Sequence, residues 1–142
     1  MAAANHPLLD PNAAVNLELL ETVVSCVYAP GSTHAERAQA QEVLNLFQND
    51  PGRQLQCQSI LELAPLPAGH PGKGNRDNTR FYGLLVLHTT ITTRWNILPR
   101  EQTEGIKNYL VNKIIGTSSD PVQAAGDRMF LRKMNETLVQ AR

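Results

Sequence analysis

Aromatic residues are scarce: Phe, Trp and Tyr together make up 5% of the 142 residues. A core must therefore come mainly from Leu, Val, Ile and Ala, a palette that suits helices packed on helices. Net charge is also missing, because thirteen Lys and Arg balance thirteen Asp and Glu. Composition thus builds in no attraction to a phosphate backbone or an anionic lipid surface, and no nucleic-acid partner is expected. Cysteine is limited to Cys26 and Cys57, without a Cys-x-x-Cys spacing. This excludes a multi-bridge disulfide framework and a four-thiolate metal site, and it fits a reducing compartment. No apolar run approaches a membrane span, and the first residues lack a basic region followed by an apolar stretch, so a soluble intracellular chain with no membrane partner is expected. What is present is a hydrophobic fraction of 42%, too high for general disorder and enough for one ordinary domain.

The apolar residues recur with helical period. Leu20, Val23, Val24 and Val27 fall at i, i+3, i+4 and i+7, and the stripe stops at Pro30-Gly31. Thr33 and Glu36 then have the spacing of a capping box, followed by the stripe Ala40, Val43, Leu44 and Phe47. A third helix is predicted to open at Asp50-Pro51, carry Cys57, Ile60, Leu61 and Ala64, and close at Pro65. Residues 65–78 are rich in Pro and Gly without an apolar period and read as a mobile surface loop. Asp77 or Asn78 would cap the next segment, with Phe81, Leu84, Leu85, Ile91 and Trp95 on its stripe. The four threonines between Leu84 and Thr93 would suit a strand, but the 3.6-residue period favours a helix. After Pro99 a stripe of Ile106, Leu110 and Ile114 is expected to end at Gly116. The last helix, from near Val122, carries Phe130, Leu131, Met134 and Leu138. The expected fold is all-α, an α-solenoid of about three antiparallel helix pairs of the HEAT type over residues 12–142, after a flexible stretch over residues 1–11.

Chemistry finds few candidates. A nucleophile needs a base within reach and a third group to orient it, and Cys26 and Cys57 sit on or beside apolar stripes, as small buried hydrophobes do. His6, His34, His70 and His88 lack metal-site spacing, and the Gly69–Gly74 stretch has no Ser or Thr after Lys73 as a phosphate loop would. No enzyme activity, metal or cofactor is expected. His88 reads as a core group and Trp95 as a packing anchor.

Specific motifs add to this. Tyr82-Gly83-Leu84, Thr93-Arg94-Trp95-Asn96-Ile97-Leu98-Pro99-Arg100, Glu104-Gly105-Ile106-Lys107 and Thr117-Ser118-Ser119-Asp120-Pro121 occur in that order. Together they resemble the N-terminal region of the nuclear export receptors that recognise leucine-rich signals, members of the importin-β superfamily. The resemblance implies the start of a HEAT-repeat superhelix, the importin-β N-terminal region, bound by the small GTPase Ran in its GTP form. It also implies shuttling between nucleus and cytoplasm, with cargo and nucleoporins bound only through downstream repeats. In that family the second helix of each pair lines the concave wall. On the first such helix, the inward stripe turns Arg37, Gln41 and Asn45 outward. On the second, Phe81, Leu84 and Ile91 would face inward, leaving Tyr82, Thr89 and Thr92 for Ran. The Gly/Pro-rich loop is roughly ten residues longer than the family pattern, an insertion that a surface connection tolerates. His88-Thr89 and Thr92 stand where the family often has a Lys/Glu-Asn pair and a Lys. The alternative reading is a truncated helical scaffold without transport activity, or a competitor for Ran. On either reading, an apolar end face around Leu131, Met134 and Leu138 is expected to favour self-association or fraying of the last helix.

Overall fold

The computed structural model describes residues 7–9, 16–50, 57–63, 66–67 and 69–140. The expectations for residues 1–6 and 10–15, the Asp50-Pro51 helix start and the Ala64-Pro65 closure lie, wholly or in part, outside them. Among the described residues every regular element is helical, as the 3.6-residue period requires. The helices are α1 (Leu17–Tyr28), α2 (His34–Asn49), α3 (Cys57–Leu61), α4 (Lys73–Arg94), α5 (Arg100–Ser118), α6 (Pro121–Gly126) and α7 (Arg128–Gln140). Short 3₁₀ turns cover Pro7–Leu9 and Trp95–Ile97. The chain divides into two compact units, Met1–Val86 and Leu87–Arg142. No helix among the described residues is long and apolar enough to cross a membrane.

In the first unit, local chemistry sets the helix ends. The Asn16 side chain accepts from the Leu19 N–H at 3.0 Å and opens α1, and the Pro30-Gly31 turn follows its last residue. The capping box forms as read: the Glu36 N–H donates to Thr33 Oγ1 at 3.1 Å, and the Thr33 N–H donates to Glu36 Oε1 at 3.4 Å. α1 and α2 then pack as a hairpin through Leu20, Val23 and Val24 on one helix and Ala40, Val43, Leu44 and Phe47 on the other. The Pro7–Leu9 turn lies against α2 with Leu8 buried, so this part of the expected flexible stretch is ordered.

Two corrections concern α4. It starts at Lys73, so the surface loop ends well before residue 78, and Asp77 and Asn78 lie inside the helix rather than capping it. Ion pairs account for the extra turns: Lys73 Nζ meets Asp77 Oδ2 at 3.2 Å one turn on, and Arg76 Nε meets Glu21 Oε1 on α1 at 3.3 Å. The loop before it is built from turns, with the His70 N–H bonded to the Pro67 carbonyl at 3.0 Å and Gly69 at φ 86°. Further on, the threonine-rich stretch is helical. Thr92 and Thr93 place their hydroxyls on carbonyls of the preceding turn, Thr93 Oγ1 donating to the Thr89 oxygen at 2.6 Å. This back-bonding satisfies a residue type that otherwise competes with the helix.

In the second unit α5 passes through Gly116 to Ser118, two residues beyond its expected end. The Ser119 hydroxyl donates to the Ile115 carbonyl at 2.7 Å and closes it. Asp120 Oδ1 accepts from the Val122 N–H at 3.0 Å and opens α6. The expected single last helix is two, broken at Asp127 after Gly126, the residue least costly to leave out of a helix apart from proline. α7 packs on α5 through Phe130 and Met134. Met134 is therefore core, whereas Leu131 and Leu138 are half-buried and the exposed large apolar side chains of α6 and α7 are Val122, Met129 and Val139. The end face expected around Met134 is corrected accordingly.

Candidate functional site

Helical geometry places Arg37, Gln41 and Asn45 one turn apart on α2, and all three are exposed, on the flank of the helix beside the buried stripe of Ala40, Val43, Leu44 and Phe47. They are held rather than splayed. The Arg37 guanidinium donates through Nη2 to the Ala29 carbonyl at 2.9 Å, which ties it to the end of α1. Gln41 Nε2 donates to Asn45 Oδ1 at 3.0 Å, and Asn49 Nδ2 donates to the Asn45 carbonyl at 2.8 Å. The result is a polar ladder along one helix, with few rotamers left to lose on binding.

Beside this ladder, within the first unit, lies a cleft of about 220 Å³. Val24, Val27 and Tyr28 of α1, Gln41, Leu44 and Gln48 of α2, and Asn78, Phe81, Tyr82 and Leu85 of α4 line it. Its floor is apolar, its rim carries three amides, and no charged side chain lines it. Tyr28 is 64% exposed and Leu85 45% exposed at the rim. Neither was among the expected partner-facing residues. Tyr28 ends α1 just beyond its buried stripe, a position that periodicity leaves unassigned, and Leu85 falls on the apolar stripe read for α4.

Tyr82 does not face outward as expected. It is 8% exposed, its ring lies 6.0 Å from that of Phe47, and its hydroxyl donates to the Leu44 carbonyl at 2.6 Å. Burial pushes the phenol well above its usual range, so the hydroxyl keeps its proton and remains a donor. Phe81, expected inward, is half-buried instead. α4 is buried on more than one side, at Thr79, Arg80, Tyr82, Leu84, Val86 and Leu87, and a one-stripe reading cannot divide such a helix correctly.

In the second unit Thr92 is exposed and Thr89 half-buried. The Thr92 hydroxyl is engaged with the His88 carbonyl at 3.0 Å, leaving mainly its methyl and an oxygen lone pair outward. His88 is half-buried rather than fully in the core. Trp95 is also half-buried, with Lys107 Nζ 5.9 Å above its ring centroid, a cation–π contact that fastens the 3₁₀ turn to α5.

Among the described residues no three His, Cys, Asp or Glu side chains converge. Cys57 is buried, and burial pushes its thiol from 9.0 up to about 12, a backbone hydrogen bond opposing only in part. Cys26 is half-buried in a shallow apolar groove between α1 and α2; its thiol donates to the Glu36 carbonyl at 3.7 Å and its sulfur accepts from Ser32 Oγ at 3.7 Å. Iodoacetamide at pH 8 is therefore expected to alkylate Cys26 and spare Cys57 until the protein unfolds, as read by peptide mass. Equal labelling of both would refute this. Because the Cys57 thiol pKa is raised on folding, its contribution to stability is complete below pH 9 and is lost as pH rises from about 9 to about 12.

The sequence profile of the importin-beta N-terminal domain matches residues 40–116. The chain is 35% identical over 133 residues to Exportin-1 of Dictyostelium discoideum, a match covering 94% of this chain and 12% of that relative. With Exportin-1 of Schizosaccharomyces pombe it is 40% identical over 126 residues, 89% of this chain and 11% of the relative. With Protein EXPORTIN 1A of Arabidopsis thaliana it is 33% identical over 137 residues, 96% of this chain and 12% of the relative. The chain thus spans about 12% of the length of these relatives.

Proposed function

The chain belongs to the importin-β N-terminal domain family, and from that premise we propose that it contributes a wall of a nuclear export receptor to which Ran binds in its GTP form. The observation that carries this reading is the exposed ladder of Arg37, Gln41 and Asn45 on α2, within a chain whose similarity to exportin-1 relatives runs over nearly its whole length. Thr92 and the half-buried Thr89 are proposed as further contacts on their own unit. Tyr82 is not among the contacts, since its ring and hydroxyl are spent inside the fold.

The role is that of a transport receptor rather than an enzyme: the wall supplies binding energy to one nucleotide state of the GTPase. Linkage then does the work. If GTP-loaded Ran and cargo each favour one superhelix conformation, each strengthens the other's binding, and nuclear Ran-GTP drives cargo loading. In this reading cargo and nucleoporins bind repeats outside the segment shared with this chain, and the receptor shuttles between nucleus and cytoplasm. A second reading is a helical scaffold without transport activity, or a competitor for Ran.

Titration of the chain with Ran loaded with GTP or with GDP tests the proposal. Binding selective for the GTP form is expected, weakened about tenfold or more by Arg37→Glu, which reverses a charge at the head of the ladder. Equal binding of both forms, or none at high concentration, refutes it. Competition against a full-length exportin, without recovery of cargo, would identify the second reading.

A further inference from the structure

Consecutive residues of α4 fasten it to two different neighbours within the first unit. Tyr82 reaches α2, where its hydroxyl donates to the Leu44 carbonyl at 2.6 Å and its ring meets Phe47. Gly83 reaches α3, where a Cβ would lie 2.7 Å from Ile60 Cγ2. A helix held at two successive residues, about 100° apart around its axis, is restrained in both rotation and slide. The Leu44 carbonyl belongs to a turn in the middle of α2, so the Tyr82 hydroxyl occupies its second lone pair beside the helical bond. Leu44 and Tyr82 both line the amide-rimmed cleft, and Gln41 stands one turn before Leu44.

We infer that Tyr82 is a positioning residue: its bond to Leu44 sets the width of the cleft between α2 and α4, and thereby the place of Gln41 on the partner-facing wall. The inference rests on the Ran-binding reading for its functional half only. Its structural half stands on the cleft itself.

Tyr82→Phe is the variant of choice, because it keeps the ring against Phe47 and removes one hydroxyl. Two measurements separate the halves. In the first, nitroxides on Glu42→Cys and Leu85→Cys, with Cys26→Ser to avoid a third label, report the distance between α2 and α4 in the unbound protein. Tyr82→Phe is expected to broaden or shift that distribution with helix content unchanged by circular dichroism; an unchanged distribution overturns the inference. In the second, the affinity for GTP-loaded Ran is measured for the parent chain, Tyr82→Phe, Gln41→Ala and the double variant. Tyr82→Phe is expected to weaken binding about fivefold, and the Gln41→Ala penalty is expected to shrink in its presence, because Gln41 is then already misplaced. A lower melting temperature with the Gln41→Ala penalty unchanged would mark a merely structural hydroxyl and overturn the inference. Failure of the parent chain to bind GTP-loaded Ran would overturn the functional half together with the Ran reading, while the distance measurement alone would decide whether Tyr82 sets the cleft.

Discussion

Phe47→Ala is expected to lower the unfolding free energy by about 3–5 kcal/mol, a large share of the 5–15 kcal/mol that typical domains possess. Phe47 is fully buried on the inward stripe of α2, and its ring faces that of Tyr82 at 6.0 Å with the planes tilted by 50°. Truncation removes the apolar transfer energy of the ring, leaves a cavity, and discards the aromatic contact. Alanine's better helix propensity returns only about half a kcal/mol. Urea denaturation followed by circular dichroism checks this: the midpoint should fall with little change in slope. A loss below about 1 kcal/mol would mean that the site collapses around the smaller side chain and that the core of the first unit is not as described.

Gly83→Val is expected to cost about 3 kcal/mol, for the opposite reason. No positive φ is required there, Gly69 being the glycine with one among the described residues, so the backbone would accept any residue but proline. What forbids a side chain is Ile60: the first added carbon would lie 2.7 Å from its Cγ2 and 3.0 Å from its Cβ, with Leu61 Cδ2 at 3.4 Å. Ile60 is fully buried and β-branched, so it has no alternative rotamer into which to retreat. α4 and α3 must separate, and the packing along their contact loosens. Gly105→Ala is the control. It lies within α5 with nothing inside 4 Å of an added Cβ, and is expected to stabilise by about 0.5–1 kcal/mol through helix propensity alone. Opposite signs at the two glycines, measured by the same denaturation, are the expected result. Stabilisation at both would mean that Ile60 gives way and that the helix contact does not forbid a side chain at position 83.

The places where periodicity succeeded share one property. α1 and α2 each bury a single stripe against the other, and for such helices the spacing of Leu20, Val23 and Val24, or of Ala40, Val43, Leu44 and Phe47, states the inward face directly. The outward ladder of Arg37, Gln41 and Asn45 then follows by subtraction. α4 lacks that property. Phe81 and Tyr82 are neighbours of similar size, and composition offers no means of choosing which is buried. The choice falls to Tyr82 because the carbonyl of Leu44, 38 positions earlier, lies where a hydroxyl can reach it. Tyr28, Gln48 and Asn78 meet at the cleft for the same reason: nothing on its own helix marks any of them as a cleft residue, and helices distant in the chain bring them together.

The sequence by itself determined the all-helical class, the turn at Pro30-Gly31, the capping box at Thr33 and the stripes of the first hairpin, because these depend on residues within a few positions of one another. Only the tertiary structure decided that Lys73–Asn78 is helix, that Tyr82 is buried with its hydroxyl on the Leu44 carbonyl, and that Met134 is core. Each of these turns on a group far along the chain, such as Glu21 for Arg76 or Leu44 for Tyr82, and it is the folded arrangement of helices that brings such groups within bonding distance.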